Sequence, residues 1–412
     1  AYGLYTRALI VNGKKFLWAV SLGLSLSAFW HTREEAIWII PSLLVMLFFT
    51  AFMIWVNKGH NLKNITVLYT TPIILLVSFT LLLATLNWRS YGIFTPLEIN
   101  SSEFKSAYSG LLKIKADSWK RIYPVVKEAR MKAYAVSPAF KELEPYLESK
   151  YGREWQGGRY DIPAAFFIWA FRDAVQRAGY YNYSESENPK TIKQTLEFYE
   201  RMGSELKAAC DSGKLECESL LSPFVPPWKK EYTKLLLPTF YENLKRLVTF
   251  DQFVFRLDSH ISVGSYKHFE LFKTVTNESI EVDRRSIRSK RPDFYFKVSE
   301  IKLKTIRNIW KNFYQNFVPW FFILFIILIP LKAIYELFKR DIRPVTVLGL
   351  AALAAVLSNT AIVTLVKITS YNEIARAMHA GYPVLIIFII TGFITLAQLI
   401  RGQRKRKQET SA

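Results

Sequence analysis

Six apolar stretches, roughly residues 16–31, 36–56, 66–86, 317–337, 345–366 and 380–399, restrict what this chain can fold into. About 20 residues at a rise of 1.5 Å each match the hydrocarbon core of a bilayer, so such stretches predict membrane-crossing helices. Runs such as FVPWFFILFIILIPL and VTVLGLAALAAVLSN lack the polar stripe that a helix on the surface of a soluble domain carries. The first stretch, built on FLWAVSLGLSLSAFW, is the shortest, and predicts a span that tilts little or thins the bilayer locally. The expected fold is therefore mostly α, a polytopic membrane protein of about six transmembrane helices. The chain opens Ala-Tyr-Gly rather than with Met, as expected of a processed or excised piece whose parent has room for spans upstream.

A formal net charge of +21 on 412 residues would, on one soluble face, point to nucleic acid. Its distribution argues otherwise. Outside residues 87–315 there are 17 Lys and Arg against 6 Asp and Glu, and the cations gather at the ends of apolar stretches. Within 87–315 the balance is 38 against 28, an ordinary mildly basic surface. The pattern is that of membrane topology and headgroup attraction, with membrane lipids as partners and no nucleic acid.

Cations in short loops orient a membrane chain, because they are retained on the cytoplasmic side. Arg7, Lys14 and Lys15 precede the first stretch; Lys58 and Lys63 follow the second; Lys332, Lys339, Arg340 and Arg343 join the fourth and fifth; Arg401, Arg404, Lys405, Arg406 and Lys407 follow the sixth. The opposite loops offer only Arg33, Lys367 and Arg376. This predicts cytoplasmic termini, three spans within 1–86, an extracytoplasmic domain over 87–315, three more spans within 316–400, and a basic tail from 401 to 412. The basic run KLKTIRNIWKN before the fourth span runs against this asymmetry, but long translocated domains escape the rule.

The insert reads as helical, with apolar residues at helical spacing in SEFKSAYSGLLKIKADSWKRIYPVVKEARMKAYA, IPAAFFIWAFRDAVQRAGYY, TIKQTLEFYERMGSELKAAC and KEYTKLLLPTFYENLKRLVTFDQFVFRLD. Ser137-Pro138 and Asn188-Pro189 read as helix starts. A lobe of this length buries its own core, and Trp155, Trp169 and Trp228 read as core or interface residues. Both cysteines, Cys210 and Cys217, lie in AACDSGKLECES around a turn-like Asp-Ser-Gly. In an oxidising compartment so close a pair predicts a disulfide, a local staple contributing about 2 to 3 kcal/mol on the loop-entropy model. A redox pair would favour Cys-x-x-Cys, and a metal site would want more ligands.

No Walker loop, HExxH, GxSxG or dinucleotide fingerprint is present, so no cofactor is expected. His260 and His268, eight apart with no cysteine neighbour, make a poor metal set, and no metal is expected. Gly157 and Gly158, beside Arg153, Arg159 and Asp161, read as a structural turn. Acidic residues are nearly absent from the spans, which disfavours ion-coupled transport. Ala351 and Ala355, like Ser21 and Ser25, are small residues four apart and predict close helix packing. Two short loops on the outer side carry the candidate chemistry. HTREEA presents Glu34 and Glu35, where desolvation would raise a carboxylate toward base work. SYNEIARAMHAGYP presents Arg376 and His379, suited to a phosphate in the headgroup layer.

That pairing of an acidic early loop with basic residues before a late span resembles the GT-C membrane glycosyltransferases, which use polyprenyl-phosphate sugar donors. RAMHAGYPVLIIFII is similar to their Arg-Tyr-x-x-Pro segments, although Arg376 and Tyr382 are not adjacent here. The resemblance implies Glu34 or Glu35 as catalytic base, Arg376 and His379 on the donor phosphate, and a polyprenyl-phosphate lipid as partner. The family's large external domain follows its last spans, whereas here it interrupts them. A broader resemblance, carried by AAFFIWAFRDAVQRAGYY and AACDSGKLEC, is to bacterial inner-membrane proteins of unassigned function with a large periplasmic domain. It implies a non-catalytic scaffold or sensor in the cell envelope, with envelope proteins as partners.

Overall fold

The computed structural model describes residues 15–32, 36–56, 62–180, 192–220, 222–251, 265–276, 280–282, 285–287, 293–370 and 378–410. The chain is mostly helical, as its composition predicts; one antiparallel strand pair, Ile280–Val282 (β1) with Arg285–Ile287 (β2), is the exception among regular elements.

Among the described residues four helical stretches are long and apolar enough to cross a membrane: Thr70–Tyr91, Lys304–Phe338, Pro344–Thr369 and Gly381–Gly402. The first two expected spans are not among these four. Lys15–Thr32 (α1) is an 18-residue helix of mixed composition, and Ile40–Val56 (α2) has 17 residues and follows a 3-10 turn at Ala36–Ile39. Each nevertheless packs along a longer helix. Helix α1 lies against Leu62–Tyr91 (α3), with His31 Nε2 and Thr80 Oγ1 3.1 Å apart. The close approach is at Gly23, where a Cβ would sit 2.9 Å from Pro72 Cα. The small-residue seam of α1 is Ala19, Gly23 and Ser27, all buried, whereas the Ser21 and Ser25 pairing is displaced: Ser25 is exposed. The helical phase places Ser25 on the opposite side from Gly23.

Gln315–Phe338 (labelled α14 in chain order), Pro344–Thr369 (α15) and Gly381–Thr410 (α16) form the rest of the bundle. Helix α15 is its axis: it touches α2, the 3-10 turn, α14 and α16. Its Ala351 and Ala355 are fully buried, as their spacing predicts, because a methyl side chain lets neighbouring backbones close in. Many other large apolar side chains stay exposed, among them Ile73, Leu82, Trp320 and Ile327, leaving the apolar exterior that lipid would cover.

The insert has its own core. Ser102–Lys113 (α4), Lys127–Val136 (α5), four short or medium helices at Pro138–Lys141, Glu144–Leu147, Lys150–Gln156 and Ala164–Arg177 (α6 to α9), and Ile192–Asp211 (α10) close around Phe104, Tyr108, Phe140, Phe167, Phe171 and Tyr199. Phe104 meets Tyr199 edge-on at 5.1 Å between ring centres, a favoured aromatic geometry. Ser137 caps α6, accepting from Phe140 N at 3.0 Å with Pro138 in the first turn, as Ser-Pro predicts. The helical spacing over 102–135 resolves into two helices with a non-helical link between them. Between α4 and α5, Ile114 pairs with Cys217, Lys115 N donates to Glu216 O at 2.9 Å and Glu218 N donates to Lys113 O at 2.8 Å. The chain after α10 thus borrows the backbone groups that a continuing helix would have used.

The Cys210–Cys217 disulfide is formed and anchors that return, with Gly213 in the left-handed region (φ +73°) at the turn. Gly157 (φ +57°) ends α8 and Gly158 (φ +72°) follows, so that glycine pair is a helix terminator. Trp155 packs partly on the core, Trp228 meets Tyr232, and Trp169 is 39% exposed.

Candidate functional site

Glu34, Glu35 and Arg376 lie outside the described residues, as does His260. His379 is described at the entry to α16, where its carbonyl accepts from Tyr382 N at 3.4 Å and its ring centre lies 6.1 Å from that of Tyr382. What the structure does bring together are the flanks of the two expected loops. Trp38, three residues beyond Glu35, accepts a hydrogen bond at its carbonyl from Ser358 of α15. Gly381, five residues beyond Arg376, lies against the next residue of α15, Asn359: a Cβ there would stand 2.7 Å from Asn359 Oδ1. Trp38, Met378 and Tyr382 belong to one buried cluster. The segments that follow the two loops therefore both meet a single turn of α15. Asn359 itself is 3% exposed, and its Oδ1 accepts no hydrogen bond among the described residues.

The same end of the bundle receives a helix of the insert, which periodicity alone assigns to the external lobe. Lys230–Val248 (α11) starts in that lobe: Tyr232 is buried between Trp119 and Trp228, and Lys229 pairs with Glu218. It ends in the membrane part. Asn243 Nδ2 donates to Thr364 Oγ1 at 3.0 Å, both buried, and Lys367 Nζ donates to Glu242 Oε2 at 2.9 Å. The Lys367 hydrogen bond holds the Glu242 carboxyl below its ordinary range, with burial opposing. Leu247 and Val248 join the core of α14, α15 and α16.

Phe250, just past α11, adopts φ +53° and is 1% exposed. It stacks on Tyr382 at 4.9 Å and meets Trp310 and Tyr314 edge-on at 5.0 Å each. Those two partners lie on a π-helical turn, Trp310–Tyr314, between Asp293–Ile309 (numbered α13, after Tyr266–Thr276 as α12) and α14. A second link runs from Ala165 N, at the start of α9, to Ser370 O, at the end of α15, at 3.3 Å. The described part of this junction is a packed joint between the lobe and the bundle, suited to transmitting position.

Two charge clusters, one buried and one half-buried, sit within the lobe. Arg130, 4% exposed, donates through Nε to Glu148 at 2.6 Å and through Nη1 to Asp161 at 2.9 Å; Asp161 also accepts from Lys127 N and Ile162 N. Glu98 pairs with Arg172 at 2.9 Å, and burial raises its pKa, the Arg172 charge opposing. Both are compensated pairs in a core, the arrangement of structural rather than reactive carboxylates.

At the opposite end of the bundle, four of the loop cations behave unequally. Lys332, counted among them, is instead buried inside α14, donating to Gln398 Oε1 at 2.8 Å and lying 3.5 Å from Glu336 Oε1. Glu336, the acidic residue one turn along, is 5% exposed and accepts from Arg343 N through Oε2 at 3.0 Å. A Lys-Glu spacing of four on an apolar helix was the available signal for this pair. No three His, Cys, Asp or Glu side chains converge as a metal site among the described residues. No protein-family model matches the chain, and no curated protein or solved structure matches it significantly.

Proposed function

We propose that this chain is an integral protein of a bacterial inner membrane whose helical periplasmic domain, residues 87–315, acts as a non-catalytic scaffold or sensor in envelope assembly. The six expected spans, counting α1 and α2 as short ones, carry both termini on the cytoplasmic side, in keeping with the cation asymmetry of the short loops. One observation carries the functional reading: α11 is anchored at Tyr232 in the lobe and at Asn243, Leu247 and Phe250 in the bundle. At 1.5 Å per residue its 19 residues, with Pro238 inside, extend about 28 Å, a helix long enough to couple the lobe to α15 and α16. A lobe that only tethered an enzyme would not need a buried polar bond inside the membrane part.

A second reading is favoured by the convergence of the Trp38 and Gly381 flanks on Ser358 and Asn359. In it the chain is a GT-C-like glycosyltransferase: Glu34 or Glu35 activates an acceptor hydroxyl, and Arg376 and His379 hold the phosphate of a polyprenyl-phosphate sugar donor. One experiment separates the two. Glu34→Gln with Glu35→Gln, and separately Leu247→Asp, are introduced into the chromosomal copy and envelope integrity is scored at matched protein level. The scaffold reading expects the paired Gln variant to behave as wild type and Leu247→Asp to fail. Failure of the Gln pair with a normally folded protein would instead favour the transferase reading over the scaffold.

A further inference from the structure

The last turn of α3 and the chain that leaves it present aromatic rings at the surface. Trp88, Tyr91 and Phe94 are 61%, 45% and 61% exposed, and Leu97 follows at 39%. They continue the exposed apolar side of the span, which carries Leu81, Leu82 and Leu86 in the turns before. From Leu86 to Leu97 the one charged residue is Arg89, itself exposed. Asn87 Nδ2 donates to the carbonyls of Thr95 and Pro96, at 2.7 and 3.1 Å, and so folds the link back against the end of the helix. Phe94 and Leu97 stay there instead of climbing away with the chain. Phe94 also borders a groove of about 580 Å³ whose charged walls are Glu103, Lys193, Glu197 and Glu200. Apolar and charged surface thus meet at this link, as they do at a bilayer boundary.

Two ties bring a helix of the lobe to the same place. Ala165 N, at the start of α9, donates to Ser370 O, directly after the span Pro344–Thr369. Arg172, seven residues further along α9, pairs with Glu98, seven residues after the span Thr70–Tyr91. Positions i, i+4 and i+7 share one side of a helix, so Trp169 lies on the side of α9 that both ties turn toward the span ends. Its indole is 39% exposed, with the Arg172 guanidinium 5.5 Å from the ring centre. The charges beside it are paired, Arg172 with Glu98 and Asp173 with Arg177. What this side of α9 offers is therefore the ring.

We propose that Trp88, Tyr91, Phe94, Leu97 and Trp169 are seated in the headgroup layer of the leaflet on the insert's side, so that the lobe rests on lipid as well as on the bundle. Indole and phenol suit that layer, since each joins an apolar body to a polar edge that stays hydrated. Continuity with the exposed apolar side of α3 selects lipid over a protein partner, which would have to displace lipid from the span beside it. The inference rests on the spans lying in a bilayer and is independent of the scaffold role.

The test puts a nitroxide on a single introduced cysteine of the full chain in vesicles of phosphatidylethanolamine and phosphatidylglycerol. Native Cys210 and Cys217 are bonded to each other, so the label finds one thiol. Trp169→Cys and Phe94→Cys are compared with Ile327→Cys, in the middle of the fourth expected span, and with Lys207→Cys, 76% exposed on the lobe. Relaxation by oxygen, against a water-soluble nickel chelate on both faces, should place the labels at 169 and 94 about 5 to 10 Å below the phosphates. The label at 327 should lie deeper and that at 207 in water. Phe94 is 61% exposed, so its variant carries the test even where Trp169→Cys unfolds. Labels at 169 and 94 that behave like the one at 207 would overturn the proposal while leaving the spans in place. Labels there hidden from both relaxing agents would overturn it in favour of a protein cover. A label at 327 in water would overturn the bilayer placement and this inference together.

Discussion

Asn243, on a helix that starts in the inserted lobe, donates its side-chain amide to the hydroxyl of Thr364 in the central helix of the bundle, at 3.0 Å and out of reach of solvent. Thr364 in turn donates to the Thr360 carbonyl at 2.8 Å, so its hydroxyl hydrogen is committed and Asn243 supplies the second partner. Asn243→Ala removes that donor and should destabilise the junction by about 1 to 3 kcal/mol. Thr364→Val in the same chain should then cost little more, because the two changes share one bond. Thermal unfolding of the single and double variants in detergent measures the coupling, and strictly additive losses would show the bond to be energetically idle.

Phe250 sets backbone strain against packing. A left-handed residue with a Cβ costs about 1 to 2 kcal/mol, which Phe250→Gly relieves, whereas deleting a buried aromatic costs about 3 to 5 kcal/mol. Packing outweighs strain by these magnitudes, so Phe250→Gly should lower the unfolding midpoint. Accelerated proteolysis between the lobe and the bundle should accompany it.

Arg130 neutralises Glu148 and Asp161 inside the lobe. Arg130→Ala leaves the buried Asp161 and the partly buried Glu148 without their cation and should cost about 3 to 5 kcal/mol. Arg130→Lys should rescue little, since an ammonium cannot reproduce the forked contacts to both acids and to the Val125 carbonyl. Near-native folding of the Lys variant, by circular dichroism and midpoint, would contradict the geometry.

Glu128 is held down to about 2 from an ordinary 4.5, first by the Lys132 hydrogen bond and then by Ser118 Oγ, Ser118 N and Asp117 N. Folding lowers this pKa, so the ionised form is the one that stabilises. The contribution is complete above about pH 4.5 and is lost as pH falls toward 2. Glu128→Gln should flatten the acid limb of the stability curve in that window and leave the pH 7 to 8 region parallel to wild type.

The disulfide joins residues seven apart in sequence, and loop closure of that size is worth about 2.5 kcal/mol. Cys210→Ser with Cys217→Ser should lower the lobe's unfolding free energy by about that amount, read as a lower midpoint, and remove its sensitivity to reductant. In intact cells the periplasmic placement expects no thiol at either position for alkylating probes. Free thiols reached only after permeabilisation would reverse the topology.

Much of this molecule is legible in its order of residues because the signals are local. Apolar runs at 317–337 and 345–366 are helices wherever they lie, since lipid and core alike demand that their backbone groups pair within the segment. Ser137-Pro138 starts a helix through its own side chain, and Cys210 finds Cys217 across a short turn. Helical spacing over 102–135 does not show where the helix stops at Lys113, because the competing partner, the strand-like return at 216–218, is about 100 residues away.

What only the tertiary structure decided is where polar residues go when two helices meet. Lys332 looked like a loop cation until Gln398, on another helix, gave it a partner at 2.8 Å. Asn243 lies on a helix that periodicity assigns to the insert, yet its partner is Thr364 inside the bundle. A buried polar group is tolerated only when a second group arrives to satisfy it, and that meeting depends on the packing of distant segments, which no residue's neighbours in sequence encode.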